Sequence, residues 1–196
     1  MLQPSFAELY RPSEKTRALL YDAALVIGGS LLMALLAQVA IPAGFSPVPI
    51  TGQTFGVMLL GALLGWKRGG AAMIAYIGEG AAGLPFFAQG KFGVGVLLGT
   101  TGGYLVGFVV AAAVVGWLAE RGWDRRVWTA LAAMVIGSLV IYLFGVSWLA
   151  ALIGLDKAVA LGLVPFIPGD LAKIALATAL LPSGWKLLAM TGQRRS

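Results

Sequence analysis

Six long apolar runs, separated by short polar or basic segments, are the feature that most restricts the fold of this chain. They extend over approximately residues 18–41, 53–66, 69–87, 95–119, 127–152 and 160–182. Most are long enough to cross a hydrocarbon layer about 30 Å thick as helices. Within a bilayer only helices and closed barrels satisfy all backbone hydrogen-bonding groups, and the runs lack the alternation of barrel strands. We therefore predict an all-α integral membrane protein with six transmembrane helices.

The composition excludes several classes of function. Hydrophobic residues make up 59% of the chain and charged residues 11%, against about 25% charged residues in soluble proteins. The sequence has no cysteine and no histidine, which excludes disulfides, thiol nucleophiles, imidazole bases and Cys/His metal sites. It also lacks a G-x-x-x-x-G-K-[ST] phosphate loop. We predict a single membrane domain over 1–196, with a polar segment over 1–16, no catalytic or metal site and no cofactor of its own.

The basic residues predict the orientation. Eleven of the fourteen Lys and Arg precede the first run, lie in segments 67–68 and 120–126, or follow the last run. They are Arg11, Lys15, Arg17, Lys67, Arg68, Arg121, Arg125, Arg126, Lys186, Arg194 and Arg195. Because cytoplasmic loops are rich in positive residues, we predict that both termini are cytoplasmic, in a cell (inner) membrane. This distribution is typical of a topology signal in contact with lipid and does not indicate a nucleic-acid surface.

Prolines concentrate at the ends of the runs that this topology places outside. These are Pro42, Pro47, Pro49, Pro85, Pro165 and Pro168. Proline breaks helices, and irregular backbone at membrane depth is tolerated only where it is buried in protein or lines a cavity. Gln53, Lys91 and the Asp170–Lys173 segment lie at the same level. We therefore predict a ligand pocket that opens outward.

Asp170 and Lys173 lie within the last apolar run. They are three residues apart, which makes them neighbours on one face of a helix. Ionisable side chains within a membrane are costly, and each is by default a candidate for a functional site. A pair that only joins two helices is the alternative, although apolar residues would do this at lower cost.

Glu79 is a third charge within an apolar run. Ala71, Ala75 and Gly83 share its helix face, which predicts an interior position. Two interpretations stay open: Glu79 lines the site, or it is a protonated and hydrogen-bonded structural carboxyl.

Four segments carry a resemblance to a known family. They are 47–56 (PVPITGQTFG), 76–87 (YIGEGAAGLPFF), 99–108 (GTTGGYLVGF) and 168–173 (PGDLAK). In their order and spacing, over about residues 20–190, they resemble the BioY family of biotin-specific S components of energy-coupling-factor (ECF) transporters. Two positions depart from the family pattern: Thr100 stands where proline is usual, and Glu79 where an uncharged residue is expected.

The resemblance implies a six-helix S-component fold that captures biotin at the outer face of the membrane. It also implies partners, namely a transmembrane T component and two ABC-type ATPases that use ATP, with transport by toppling of the whole S component. Asp170 and Lys173 match the family's Asp-x-x-Lys, which contributes to the biotin site. Lys91 lies in a loop where the family often has a basic residue or glycine.

The chemistry of biotin suits these residues. We expect Asp170 to accept a ureido N–H and Lys173 to donate to a ligand oxygen, through charge-assisted hydrogen bonds. The end of biotin that meets Lys173 stays open. Phe86, Phe87 and Tyr104 are candidates for the wall around the thioether ring.

Two other functions stay open as alternatives. The first is a self-sufficient secondary transporter that moves a small carboxylate-containing vitamin with protons through Glu79 and Asp170. The second is an intramembrane enzyme, for which only Glu79, Asp170 and Lys173 remain as acids or bases.

Overall fold

Helices make up most of the structure, a computed structural model that describes residues 3–41 and 43–190. In chain order they are α1 (Phe6–Leu9), α2 (Lys15–Gln38), α3 (Gln53–Ala81), α4 (Val94–Leu98), α5 (Gly102–Ala119), α6 (Val127–Ile153), α7 (Leu155–Gly162) and α8 (Ile167–Met190). Short 3-10 turns lie at Ala88–Gly90, Trp123–Arg125 and Val164–Phe166, and β1 (Ala40–Ile41) pairs antiparallel with β2 (Ile50–Thr51). Pro42, Arg194 and Arg195, which entered the sequence predictions, lie outside the described residues.

Gly65 divides α3 into two antiparallel halves. Its φ of 83° and ψ of 173° lie outside the helical region, and glycine adopts a positive φ without a steric penalty. The chain folds back so closely that a Cβ on Gly69 would lie 3.0 Å from the Cα of Gly61. We call this element the α3 hairpin. Its two halves lie where the sequence predicted separate runs over 53–66 and 69–87.

By length and hydropathy, five helical segments in the described part of the chain can span a membrane. One of them is the α3 hairpin taken as a single segment, and another joins α7 to α8. The count of six spans stays a prediction, and the reversal at Gly65 is the physical reason why the two counts differ.

The predicted run over 95–119 is interrupted. It contains α4 and α5, separated by residues 99–101. A Cβ on Gly102 would collide with the carbonyl oxygen of Leu97, so only glycine permits this close turn. The Trp148 indole of α6 donates a hydrogen bond to the Gly99 carbonyl within the break, at 2.9 Å. The break is therefore fixed to α6.

The chain turns are distributed over two ends of the helix bundle. We call the end that carries residues 40–52, 82–101 and 154–166 the cavity end, and the end that carries residues 3–14, 65–68 and 120–126 the basic end. The described basic residues of the topology prediction lie at the basic end. The membrane face that this end adopts stays a prediction of the positive-inside rule.

Apolar side chains fill the bundle between these ends. Met58, Val115, Met134 and Leu181 come from four different helices, and each is at most 2% exposed. They belong to one continuous cluster of buried residues, and protein interiors of this kind are close-packed. This layer closes the bundle on the basic side of the cavity.

Ion pairs attach the N-terminal segment to the basic end. Arg68 of the α3 hairpin pairs with Glu8 at 2.8 Å and with Asp22 at 2.6 Å. Arg11 pairs with Asp22 at 2.9 Å. The N-terminal segment is therefore joined to both α2 and the α3 hairpin.

Asp124 is a buried carboxylate in the turn between α5 and α6, outside the apolar helices. Its side chain is 1% exposed, and Trp185 Nε1 donates a hydrogen bond to Oδ2 at 2.6 Å. Oδ1 has no hydrogen-bond partner among the described residues. Burial raises the pKa of Asp124 to about 6, against the opposing effects of the Trp185 hydrogen bond and the Arg125 charge.

This pKa predicts a pH-dependent stability. An unfolded aspartate has a pKa of about 3.9, so the folded protein binds the proton of Asp124 more tightly. The stability contributed by Asp124 is fully present below about pH 4 and is lost as the pH rises through about 6. We expect Asp124→Asn to flatten the pH dependence of the unfolding midpoint in detergent over this range. Parallel pH profiles of the two proteins would contradict the prediction.

A second prediction concerns the reversal at Gly65. In Gly65→Ala the new Cβ would collide with Glu120 Oε1, which accepts a hydrogen bond from Trp66 N at 3.2 Å. We expect a loss of about 1–3 kcal/mol in the free energy of unfolding. Gly78→Ala is the matched control, because a Cβ there has no atom within 4 Å and alanine favours a helix. Equal unfolding midpoints in detergent would contradict this role of Gly65.

Candidate ligand site

A cavity opens at the cavity end, between the α3 hairpin, α5, α6 and α8. Its atom-free volume, including the open mouth, is about 710 Å³. Its apolar lining consists of Val48, Pro49, Phe87, Ala88, Val96, Leu105, Phe108, Ile141 and Phe166. Its polar lining consists of Thr51, Gln53, Thr54, Tyr76, Lys91, Thr101, Tyr104, Tyr142, Asp170 and Lys173. Apolar walls with convergent polar groups are typical of ligand sites.

Asp170 and Lys173 form an ion pair in this cavity. Asp170 lies in the first turn of α8 and Lys173 one turn later, with Oδ1 and Nζ 3.1 Å apart. Asp170 is 5% exposed, so its charge depends on protein partners. The N-terminal end of a helix stabilises a carboxylate through the helix dipole. The local structure therefore favours a carboxylate at this position of α8.

Hydroxyl groups from two other helices complete the surroundings of Asp170. Thr54 Oγ1 donates to Oδ1 at 3.2 Å and accepts from Lys173 Nζ at 2.9 Å, and the Tyr142 hydroxyl donates a short hydrogen bond to Oδ2. With the bond from Lys173, the carboxylate accepts three hydrogen bonds out of about four that it can accept. Lys173 uses two of its three donors. The pair retains one acceptor and one donor for a ligand.

The ring of Tyr104 is a fixed part of the wall. Its hydroxyl donates to the Gly162 carbonyl at 2.8 Å, and its ring lies so close to Gly145 that a Cβ there would collide with it. Tyr104 therefore offers its ring to a ligand, because its hydroxyl is already bonded. Phe87 is 2% exposed and packs edge-on against Tyr76, with ring centroids 5.7 Å apart.

Gln53 belongs to a chain of hydrogen bonds within the wall. Its Oε1 accepts from Thr51 Oγ1 at 3.1 Å, and its Nε2 donates to the Tyr76 hydroxyl at 2.8 Å. That hydroxyl donates in turn to the Phe86 carbonyl at 3.2 Å. This series of hydrogen bonds joins the strand β2 to the loop that follows the α3 hairpin. Gln53 lines the cavity, but both ends of its amide already have partners.

The structure brings most of the predicted site residues together. Asp170, Lys173, Lys91, Gln53 and Tyr104 all line the cavity.

Phe86 and Glu79 do not line the cavity. Of the two neighbouring wall candidates, only Phe87 lines the cavity, and it packs against Gly80, where a Cβ would lie 2.5 Å from its ring. Glu79 is one residue, or 100° of helix rotation, away from Gly80. Its Oε2 is buried and has no hydrogen-bond partner among the described residues.

Several polar lining residues were absent from the sequence prediction, among them Thr54, Tyr76 and Tyr142. Thr54 and Tyr76 lie within the quoted segments 47–56 and 76–87, so the segments themselves were a signal for them. Tyr142 lies in the middle of the apolar run over 127–152. A single aromatic residue there has no sequence feature that distinguishes it from a packing residue.

Comparisons with known protein sequences point to one family. Residues 11–190 match the sequence profile described as the BioY family. The "Biotin transporter BioY" of Rhizobium etli is 39% identical over 159 residues, which cover 77% of this chain and 85% of that protein. The "Biotin transporter BioY" of Thermotoga maritima is 41% identical over 165 residues, which cover 84% of this chain and 90% of that protein.

A solved structure shares the fold. It is described as the crystal structure of the S-component for biotin from an ECF-type ABC transporter. The superposition has a TM-score of 0.78 at 25% sequence identity, and it covers 89% of this chain and 95% of that chain.

The hydrogen bonds around the cavity predict a ranking of two variants. Tyr142→Phe removes a donor from the Asp170 carboxylate, whereas Tyr104→Phe removes a donor from a neutral carbonyl. We expect Tyr142→Phe to lower the free energy of unfolding by about 1.5–3 kcal/mol and Tyr104→Phe by about 0.5–1.5 kcal/mol. Denaturation of both purified variants in detergent measures the difference. A smaller loss in Tyr142→Phe than in Tyr104→Phe would contradict the role given to Asp170.

Proposed function

The chain belongs to the BioY family, and we propose that it captures biotin in the cavity and delivers it into the cell as the S component of an ECF-type ABC transporter. It is a multi-pass protein of the cell membrane, and a transport component, not an enzyme. The observation that carries the assignment of the site is the Asp170–Lys173 pair within a largely apolar cavity.

The hydrogen-bonding capacity of this pair supports the ureido ring of biotin as its partner. A ureido group presents an N–H donor beside a carbonyl acceptor. The pair retains one acceptor on Asp170 and one donor on Lys173. Asp170 therefore accepts a ureido N–H, and Lys173 donates to the ureido oxygen. Both bonds are charge-assisted and belong to the stronger class of hydrogen bond.

The rest of the ligand is assigned to the other walls. The apolar thioether ring lies against the rings of Tyr104, Phe87 and Phe108, which line the cavity. The valerate carboxylate points to the mouth, where Lys91 lies. Lys91 is exposed and forms no ion pair within the described part of the chain. Its ammonium group is therefore available to a carboxylate.

Two observations support dependence on an energising module with a transmembrane T component and two ABC-type ATPases. The sequence lacks a phosphate loop, so ATP hydrolysis has to come from partners. The packed layer of Met58, Val115, Met134 and Leu181 lies on the basic side of the cavity. Release of a ligand on the basic side of this layer requires a movement of the protein, and an energised partner would drive that movement.

The alternative proton relay through Glu79 and Asp170 receives less support. Glu79 is absent from the cavity lining. No hydrogen bond among the described residues joins it to Asp170, whose oxygens bond to Thr54, Tyr142 and Lys173.

Isothermal titration of biotin into the purified chain in detergent tests the function and the site. We expect tight one-to-one binding by the unchanged protein. Asp170→Asn and Lys173→Met are each expected to weaken binding at least about tenfold, because each leaves the other charge unpaired in a poorly solvated site.

The chain offers a matched control for both substitutions. Asp156 and Lys157 lie on α7 at the same end of the bundle, are exposed and do not line the cavity. Asp156→Asn and Lys157→Met should therefore bind biotin as the unchanged protein does. Near-unchanged affinity in both site variants would refute the site. Absence of binding by folded protein, alone and in the assembled complex, would refute biotin as the ligand.

A further inference from the structure

The loop of residues 85–91, which we call the rim loop, forms one side of the cavity mouth. It supplies Phe87, Ala88 and Lys91 to the lining. Its backbone is unusual, because Gln89 has a φ of 64°, a conformation that residues other than glycine rarely adopt. Within the loop, Phe87 N donates to Lys91 O at 3.0 Å. A loop that holds an unfavourable conformation depends on contacts from outside it.

Gln38, the last residue of α2, supplies such contacts. Its Nε2 donates to the Ala34 carbonyl of its own helix at 3.1 Å and lies 3.4, 3.4 and 3.3 Å from the carbonyl oxygens of Pro85, Phe86 and Phe87. Its Oε1 accepts a hydrogen bond from Gly90 N at 3.0 Å. One side chain therefore bonds to the rim loop before and after the strained Gln89. An amide suits this position because it donates and accepts at once.

Gln38 contacts the rim loop from outside the cavity. It is exposed and is absent from the cavity lining. From the cavity side, the Tyr76 hydroxyl bonds to the Phe86 carbonyl at 3.2 Å. The rim loop is thus attached to the α3 hairpin by Tyr76 and to α2 by Gln38.

We propose that Gln38 is a positioning residue for ligand retention: by bonding both arms of the rim loop, it keeps Phe87 and Lys91 against the occupied cavity. The proposal rests on the function proposed above, in which Phe87 contacts the thioether ring and Lys91 the carboxylate. Loss of the Gln38 amide frees the rim loop on one side. The ligand then leaves faster, while its access to the cavity is unchanged.

Gln38→Met tests this inference, because methionine keeps the length of the side chain and removes both hydrogen-bonding groups. Leu35→Met is the matched control: Leu35 is exposed on the same helix, one turn earlier. Association and dissociation rates of labelled biotin are measured on the full chain in detergent. Backbone amide exchange of the ligand-free proteins is measured in parallel.

We expect Gln38→Met to raise the dissociation rate about tenfold, as the loss of one to two hydrogen bonds predicts, with an unchanged association rate. Amide exchange should accelerate in residues 85–91 and stay the same elsewhere, and Leu35→Met should match the unchanged protein in every measurement. A general structural role would instead lower the unfolding midpoint and accelerate exchange throughout.

Two outcomes would overturn the inference: an unchanged dissociation rate in Gln38→Met, or a faster one with unchanged exchange in the rim loop. If the unchanged protein binds no biotin, the proposed function fails. In that case rim-loop exchange in the ligand-free proteins still decides whether Gln38 holds the loop.

Discussion

Backbone polar groups at membrane depth need partners within the protein, and this requirement governs the cavity end. Where helices end or break there, side chains supply the partners. Ser46 Oγ donates to the Leu161 carbonyl at 2.7 Å, and Thr100 Oγ1 donates to the Pro47 carbonyl at 3.2 Å. A proline at the position of Thr100 would lack this bond, because its side chain has no donor. The bonds that satisfy the irregular backbone also hold the segments around the mouth together. The shape of the mouth therefore follows from the need to pair backbone polar groups within the protein.

Inside the cavity, the Asp170 carboxylate likewise holds separate segments together through hydrogen bonds. It joins α8 to the α3 hairpin through Thr54 and to α6 through Tyr142. Donors from the protein replace the water that a buried carboxylate loses. The residue that we propose as an acceptor for the ligand is therefore also the residue at which three helices meet. Binding at the proposed site would act directly on the packing of those helices, so affinity and stability have to be measured together in variants of Asp170.

The sequence was informative wherever a residue was costly in its surroundings. Asp170 and Lys173 could be predicted because charges within an apolar run need a reason. Gly65 could not be singled out, because the chain has 28 glycines and a positive φ depends on the turn that the whole hairpin makes. Phe86 and Phe87 were both predicted to line the cavity; which of them does so depends on where α3 ends, at Ala81, and single-sequence periodicity does not fix a helix end to one residue. The same limit applies to Glu79. Its side chain is rotated by 100° about the helix axis from Gly80, the residue against which Phe87 packs, and the sequence did not reveal this difference.

The packed layer of Met58, Val115, Met134 and Leu181 separates the ligand cavity from the basic end within the described part of the chain. The ligand then enters and leaves through the same cavity mouth, so the protein transports single ligand molecules and does not conduct a continuous flow. The four side chains of this layer are apolar and offer no ligand to an ion or a proton. A cell can therefore keep many idle copies of this chain in its membrane without discharging the gradients across it.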